Sequence, residues 1–142
     1  MLLSIEPIRE IYSGTLLTER DISIDHFVPW SYVAHDEFWN LHPTTRSINS
    51  KKSNNLPDWE CYFPLLADIE YHSYRMIWTY DKVELEFRKC SREHLNNPEI
   101  EQRLYRVGLG REEFKNQLSE VIYPVYQSAK NCGFHTWKYG DE

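Results

Sequence analysis

The sequence changes character once, at Leu56-Pro57-Asp58, and that break limits the possible folds more than any other feature. Before it the chain is β-branched, rich in turn residues and punctuated by Pro29 and Pro43; after it come long charged, amphipathic segments. Period-two alternation belongs to strands, and apolar spacing of three and four belongs to helices. The order therefore predicts an α+β chain, with a small strand-bearing unit over residues 1–57 and a mainly helical region over 58–142 packing on it or extending it. A length of 142 residues suits one domain or one and a half. With 41% hydrophobic residues, including 5 Trp, 10 Tyr and 6 Phe, there is ample apolar surface for a core, which excludes a disordered chain.

Within the first unit, Ile22, Ile24, His26, Val28 and Trp30 alternate with Ser23, Asp25, Phe27 and Pro29, which predicts a strand ending near Pro29. Ser13-Gly14 marks a turn before it, and Ser31 to Phe38 reads as a loop. Trp39 to His42 is a second strand closed by Pro43, and Thr44 or Thr45 offers the N-cap of a short helix, about Thr45 to Ser53. The second part predicts a helix from Asp58 to about Tyr80. Val83, Leu85 and Phe87 alternate, so a short extended piece is open there. A helix starting at Pro98 and ending near Gly108 follows, then a last one from about Arg111 to Cys132 that Pro124 should kink or split.

The formal charge is −6, from 22 acidic and 16 basic residues, which argues against generic polyanion binding through overall charge. A local exception stands out: Phe38 to Pro57 holds no Asp or Glu but contains Arg46, Lys51 and Lys52. The three cysteines, Cys61, Cys90 and Cys132, form no CxxC pair, so neither a disulfide framework nor a cysteine-rich zinc site is expected. No apolar run approaches the roughly 20 residues of a membrane span, and Met1 to Glu10 lacks the basic start of a signal peptide. A cytoplasmic location without membrane association is the expectation.

The stretch that carries chemistry is Ile24-Asp25-His26-Phe27-Val28-Pro29-Trp30, then Trp39-Asn40-Leu41, then Ile48-Asn49-Ser50-Lys51-Lys52-Ser53. It places one imidazole, one carboxylate and two amides around a strand–strand–helix unit. This set resembles the HNH endonuclease family, whose ββα-metal fold has that order of elements. The likeness is closest to the variant whose last motif residue is Asn, as in the HNH domain of RNA-guided CRISPR nucleases; Lys52 follows three residues after the final Asn. It covers about Ile11 to Pro57, and the C-terminal PVYQSAKNCGFHTW is also similar to the tail of some bacterial HNH proteins.

The resemblance implies a metal-dependent endonuclease that hydrolyses DNA phosphodiester bonds and leaves 5′-phosphate ends. His26 would be the general base, Asn40 would orient the His-bearing loop, and Asp25 and Asn49 would hold one divalent ion. A carboxylate and an amide carbonyl are hard oxygen ligands, suited to Mg²⁺ or Mn²⁺ rather than zinc. On a helix Asn49 and Lys52 share a face at i and i+3, which places Lys52, with Lys51 and Arg46, as candidates for contact with nucleic-acid phosphates. Asp25 and His26 are successive strand residues and would point to opposite sides, so the strand is expected to twist or end there.

Many relatives carry a CxxC ahead of the Asp-His that forms a structural zinc knuckle. Here Glu10 and Ser13 stand in those positions, so no structural zinc is expected, and Trp30, Trp39, Leu41 and the helical region are expected to cover the unit. The near absence of sequence ahead of the motif, with the acidic balance, suggests a shortened form targeted by a partner protein subunit or by homo-oligomerisation. The family occurs in restriction, mobile elements, phage defence and CRISPR effectors. His35 reads as solvated and His42 as following the second strand; His72, His94 and His135 read as structural. Arg103, Arg106 and Arg111 form another acid-poor patch, read as an exposed helix face or a DNA-backbone track. Two other functions stay open: a catalytically silent HNH-like structural subunit of a nucleic-acid complex, and an HNH enzyme acting on RNA.

Overall fold

A computed structural model describes residues 7–94 and 98–141. Met1 to Glu6 and the side chain of His94 lie outside the described residues. Strand β1 (Ser23–His26) pairs antiparallel with β2 (Leu41–Thr44), and helix α2 (Arg46–Lys52) follows directly, which gives the ββα order. Between the strands lie the four-residue helix α1 (Trp30–Val33) and a 3-10 turn over Phe38–Asn40.

Strand β1 is shorter than its alternation predicts, and it buries Asp25 rather than Ile24. Ile24 and Trp30 are each 54% exposed, while Asp25 and Phe27 are buried, so Trp30 does not cover the unit as expected. The ladder stops because Phe27 N–H donates to the carbonyl of Asn40 and the backbone of Val28 turns to the Asn40 side chain. Pro29, which lacks an N–H, then starts α1 rather than extending the strand. Strand β2 begins later than expected and runs through Pro43. That is tolerated because each strand of a two-stranded sheet is an edge. Helix α2 matches its expected span: the Thr45 side chain accepts from Ile48 N–H at 3.2 Å, and Ser53 closes the helix at positive φ.

Past the break, β3 (Leu56–Pro57) leads into α3 (Trp59–Thr79), capped by Asp58, whose carboxylate accepts from Cys61 N–H at 3.0 Å. Helix α4 (Asp81–His94) replaces the extended piece considered for Val83 to Phe87. Val83 and Phe87, four apart, are buried on one face, whereas Leu85 between them is 68% exposed; the local alternation was a by-product of helical spacing. Helix α5 (Pro98–Leu104) ends short of the expected Val107. Helix α6 (Arg111–Asn131) runs unbroken past Pro124 and stops before Gly133, which takes the left-handed φ of +101°.

Strand β4 (Thr136–Trp137) then pairs in parallel with β3. Leu56 N–H donates to His135 C=O and Asp58 N–H to Trp137 C=O, both at 2.8 Å. The end of the chain is thereby stitched to the junction at residue 57. One apolar core runs across that junction, from Ile8 and Tyr12 through Phe27, Leu66 and Ile122 to Trp137. Among the described residues no helix is long and apolar enough to cross a membrane.

Candidate functional site

Cross-strand register decides what surrounds the Asp25-His26 pair. Asp25 lies opposite His42 and His26 opposite Leu41, so the two motif residues face opposite sides of the hairpin.

On the inner side, Asp25 is almost completely buried and both its oxygens are engaged. Tyr12 Oη donates to Oδ2 at 2.6 Å and His42 Nε2 to the same oxygen at 2.8 Å. Lys52 Nζ meets Oδ1 at 3.1 Å and also donates to the His26 carbonyl at 2.8 Å. Burial raises the carboxyl pKa, but the Lys52 charge and the hydrogen bonds from His42 and Tyr12 outweigh it and bring it from 3.8 to about 2. Burial pulls the Lys52 ammonium down, and Asp25 only partly offsets this. The charged pair is nonetheless the state the geometry describes, because three donors converge on one carboxylate. Burial and then the Asp25 charge push the Tyr12 phenol well above its usual range, so it stays a donor.

On the outer side, the His26 side chain keeps 22% of its exposure, and its Nε2 lies 2.6 Å from Oδ1 of Asp36. Ile24, Leu41 and Pro43 on this side line an open groove of about 340 Å³ together with residues of α3 and α4. Asn40 is buried and closes the loop between the strands: its Oδ1 accepts from Val28 N–H at 2.8 Å and its Nδ2 donates to Val28 C=O at 2.9 Å. Asn49 sits on the face of α2 toward β1, where its Nδ2 donates to Ser23 Oγ at 2.6 Å and, more weakly, to Ile24 C=O at 3.5 Å.

These placements bear directly on the implied divalent ion. Both oxygens of Asp25 accept hydrogen bonds and an ammonium already neutralises it, while the Asn49 Nδ2 is engaged with Ser23. Among the described residues no group of three or more His, Cys, Asp or Glu is arranged to hold a metal. As folded, Asp25 is closed to an ion by Tyr12, His42 and Lys52.

Lys52 also departs from its expected contact with a phosphate. Its side chain is 1% exposed because Asp25 and the His26 carbonyl draw the amine inward from α2. Lys51 and Arg46 remain exposed; the Lys51 ammonium sits 5.7 Å from the Tyr139 ring centroid, and Arg46 is tethered to the Arg20 carbonyl at 3.0 Å. The patch of Arg103, Arg106 and Arg111 is answered by acids: Arg103 pairs with Glu120, Arg106 with Glu113 and Arg111 with Asp68. His35 is exposed beside Glu37, as its loop position suggested.

Glu10, which the resemblance sets where relatives have a knuckle cysteine, is buried and organises its turn. Its carboxylate accepts from Tyr12 N–H at 2.9 Å, from the N–H and hydroxyl of Ser13, and from Thr44 Oγ1 at 3.1 Å. Burial opposes the charge, yet the Ser13 hydroxyl, the two backbone N–H groups and Thr44 lower its pKa below the usual carboxylate range. Gly14 completes the turn with φ of +77°.

Tyr12, His42, Asp36 and the anion-organising role of Glu10 were missed in the sequence. For His42 a signal existed, since an antiparallel hairpin must set some residue of the second strand against Asp25. The register could not be counted through a loop of unknown shape.

A family model described as HNH endonuclease matches residues 9–58, from the Glu10 turn through the α2 helix to the junction with α3. No curated protein and no solved structure matches the chain. Residues 9–58, with their strand–strand–helix order and the Asp25-His26, Asn40 and Asn49 set, are thus the part of the chain that is similar to the HNH endonuclease family.

Proposed function

We propose that the chain is a nuclease that hydrolyses DNA phosphodiester bonds with His26 as general base. The observation that carries this is the placement of His26. It ends β1 at the surface, on the loop that Asn40 closes, with its ring held and partly open to solvent. A neutral imidazole accepts a proton near neutral pH. In the proposed step His26 takes a proton from water as the oxygen bonds to phosphorus. The bond to the 3′-oxygen breaks, and that oxygen is protonated from solvent, leaving a 5′-phosphate. The family's divalent ion, Mg²⁺ or Mn²⁺, would supply charge stabilisation of the phosphorane; the closed state of Asp25 gives it no seat here, so no step is assigned to it. Because the chain carries a net charge of −6, targeting is assigned to a partner subunit or to self-association.

A specific observation favours the second reading, a catalytically silent HNH-like subunit: both oxygens of Asp25 are consumed inside the protein. One experiment separates the readings. The purified chain is incubated with plasmid, single-stranded DNA and RNA, in Mg²⁺, Mn²⁺ or EDTA, beside His26→Ala. Cleavage of DNA that is lost in His26→Ala supports the proposal. Cleavage of RNA alone moves the assignment to a ribonuclease, and inertness toward every substrate supports the silent subunit.

A further inference from the structure

The carboxylate that touches His26 is ten residues away in sequence, not the Asp25 beside it. Asp36 lies between α1 and the 3-10 turn, and the segment carrying it is fixed at both ends. At one end, Tyr32 of α1 hydrogen-bonds Ser128 on α6 and packs edge-on against Phe134 with centroids 5.6 Å apart. Ala34 then turns the chain out of α1 in the left-handed region, with φ of 59°. At the other end, Asn40 N–H donates to the Glu37 carbonyl at 2.9 Å, and the Asn40 amide clips both backbone groups of Val28. Asp36 therefore reaches the imidazole from an anchored stretch of backbone.

An ionised carboxylate can only accept a hydrogen bond. The ring atom 2.6 Å from it must carry the hydrogen, which makes neutral His26 the Nε2–H tautomer and leaves the lone pair on Nδ1. We propose that Asp36 is the positioning residue of this site, holding His26 in the tautomer whose Nδ1 takes the proton of the attacking water. This rests on His26 being the general base. In the step, the water proton moves to Nδ1 and the water oxygen bonds to phosphorus as the bond to the 3′-oxygen breaks. Asp36 stays ionised, keeps its hydrogen bond to Nε2–H and stabilises the imidazolium that forms.

Nitrogen-15 NMR of the full chain with labelled histidine, at one fixed pH where the imidazole is neutral, reads which ring nitrogen of His26 is protonated. It needs neither substrate nor metal. The expected wild-type result is a single Nε2–H tautomer. Asp36→Ala should give a tautomer mixture and lower the kcat for oligonucleotide cleavage by about 10- to 100-fold with KM nearly unchanged. Its melting temperature should hold, since the Asp36 side chain is 44% exposed. An Nδ1–H tautomer in the wild type, or an Asp36→Ala chain with unaltered tautomer and kcat, overturns the role of Asp36; His26→Ala remaining inactive would then leave the base assignment standing. Cleavage that survives His26→Ala overturns both.

Discussion

Asp25 and His26 leave β1 on opposite sides, and the two sides differ in what they can still bind. The Asp25 side is closed: a tyrosine, a histidine and a lysine surround one carboxylate with almost no solvent. The His26 side is open: one carboxylate holds one ring nitrogen, and solvent reaches the imidazole. Buried polar networks in low dielectric resist change, because a member lost leaves its partners unpaired. The His26–Asp36 pair, partly exposed, adds less to folding than the buried network does. In this ββα unit the adjacent motif residues thus take different sides, with Asp25 holding the hairpin to α2 and His26 facing outward.

The sharpest test of that division is His26→Ala. On the proposed role of His26 as general base, its removal should lower cleavage by about 10²- to 10⁴-fold. The same variant should shift the urea midpoint very little, because the side chain is partly exposed and Asp36, which it contacts, is itself 44% exposed. If His26→Ala were to unfold the chain as readily as changes at Asp25, the two sides would not differ as described.

The converse experiment is on the closed side. Lys52→Met leaves Asp25 as an uncompensated buried charge, and loss of one partner of such a pair typically costs about 3–5 kcal/mol. Chemical denaturation measures it directly. Adding Asp25→Asn to Lys52→Met should recover much of the loss, since the charge that needed the ammonium is gone. Failure of the double variant to recover would mean that Lys52 contributes through packing rather than through charge. In the same preparations, Mg²⁺ should raise the melting temperature of Lys52→Met and not that of the wild type if the ammonium is what keeps cations from Asp25.

Acid gives a smaller, graded version of the same comparison. The folded pKa of Asp25 is depressed from 3.8 to about 2, so its contribution to stability is fully present above pH 4 and is lost as pH falls through 2. That contribution is about 2 kcal/mol by the conversion of a pKa difference into free energy. Urea midpoints measured from pH 5 down to pH 2 should show the decline, and Lys52→Met should begin it at higher pH. A wild-type curve flat to pH 2 would contradict the closed network.

Much of the ββα order was legible in the sequence because caps and turns are local chemistry. Thr45 announced α2, Asp58 the start of α3, and Gly133 the end of α6. What depended on register was not legible. The alternation did not say which face of β1 is buried; the strand buries Asp25 and exposes Ile24, since Tyr12, His42 and Lys52 converge from three other segments. Alternation tells which residues share a face, not which face is buried, and partners 13, 17 and 27 residues away carry that information. Likewise, Glu10 could be recognised as lacking a thiolate, but its role as an anion gathering backbone N–H groups follows only from the fold of the turn. Val83, Leu85 and Phe87 show the opposite error, a strand-like pattern inside a helix whose partner is α3.

The smallest expected effect separates two neighbouring lysines as the strand separates Asp25 from His26. Lys51 and Lys52 are consecutive on α2, but Lys52 is turned inward onto Asp25 whereas Lys51 is exposed near Tyr139. A lysine that neutralises one phosphate releases about one counterion, so its removal should flatten the plot of log affinity against log salt by about 0.9. Lys51→Ala should show that change in DNA binding measured across a salt series, with folding stability within about 0.5 kcal/mol of wild type. Arg46, exposed but tethered to the Arg20 carbonyl, should change the slope less than Lys51 because part of its donor set is already used. Lys52 makes no such contribution while its amine stays on Asp25, and the Lys52→Met/Asp25→Asn double variant, refolded and stable, should keep the wild-type slope. An equal drop in slope for Lys51→Ala and that double variant would place Lys52 at the phosphate and reopen the inner side of β1 to substrate.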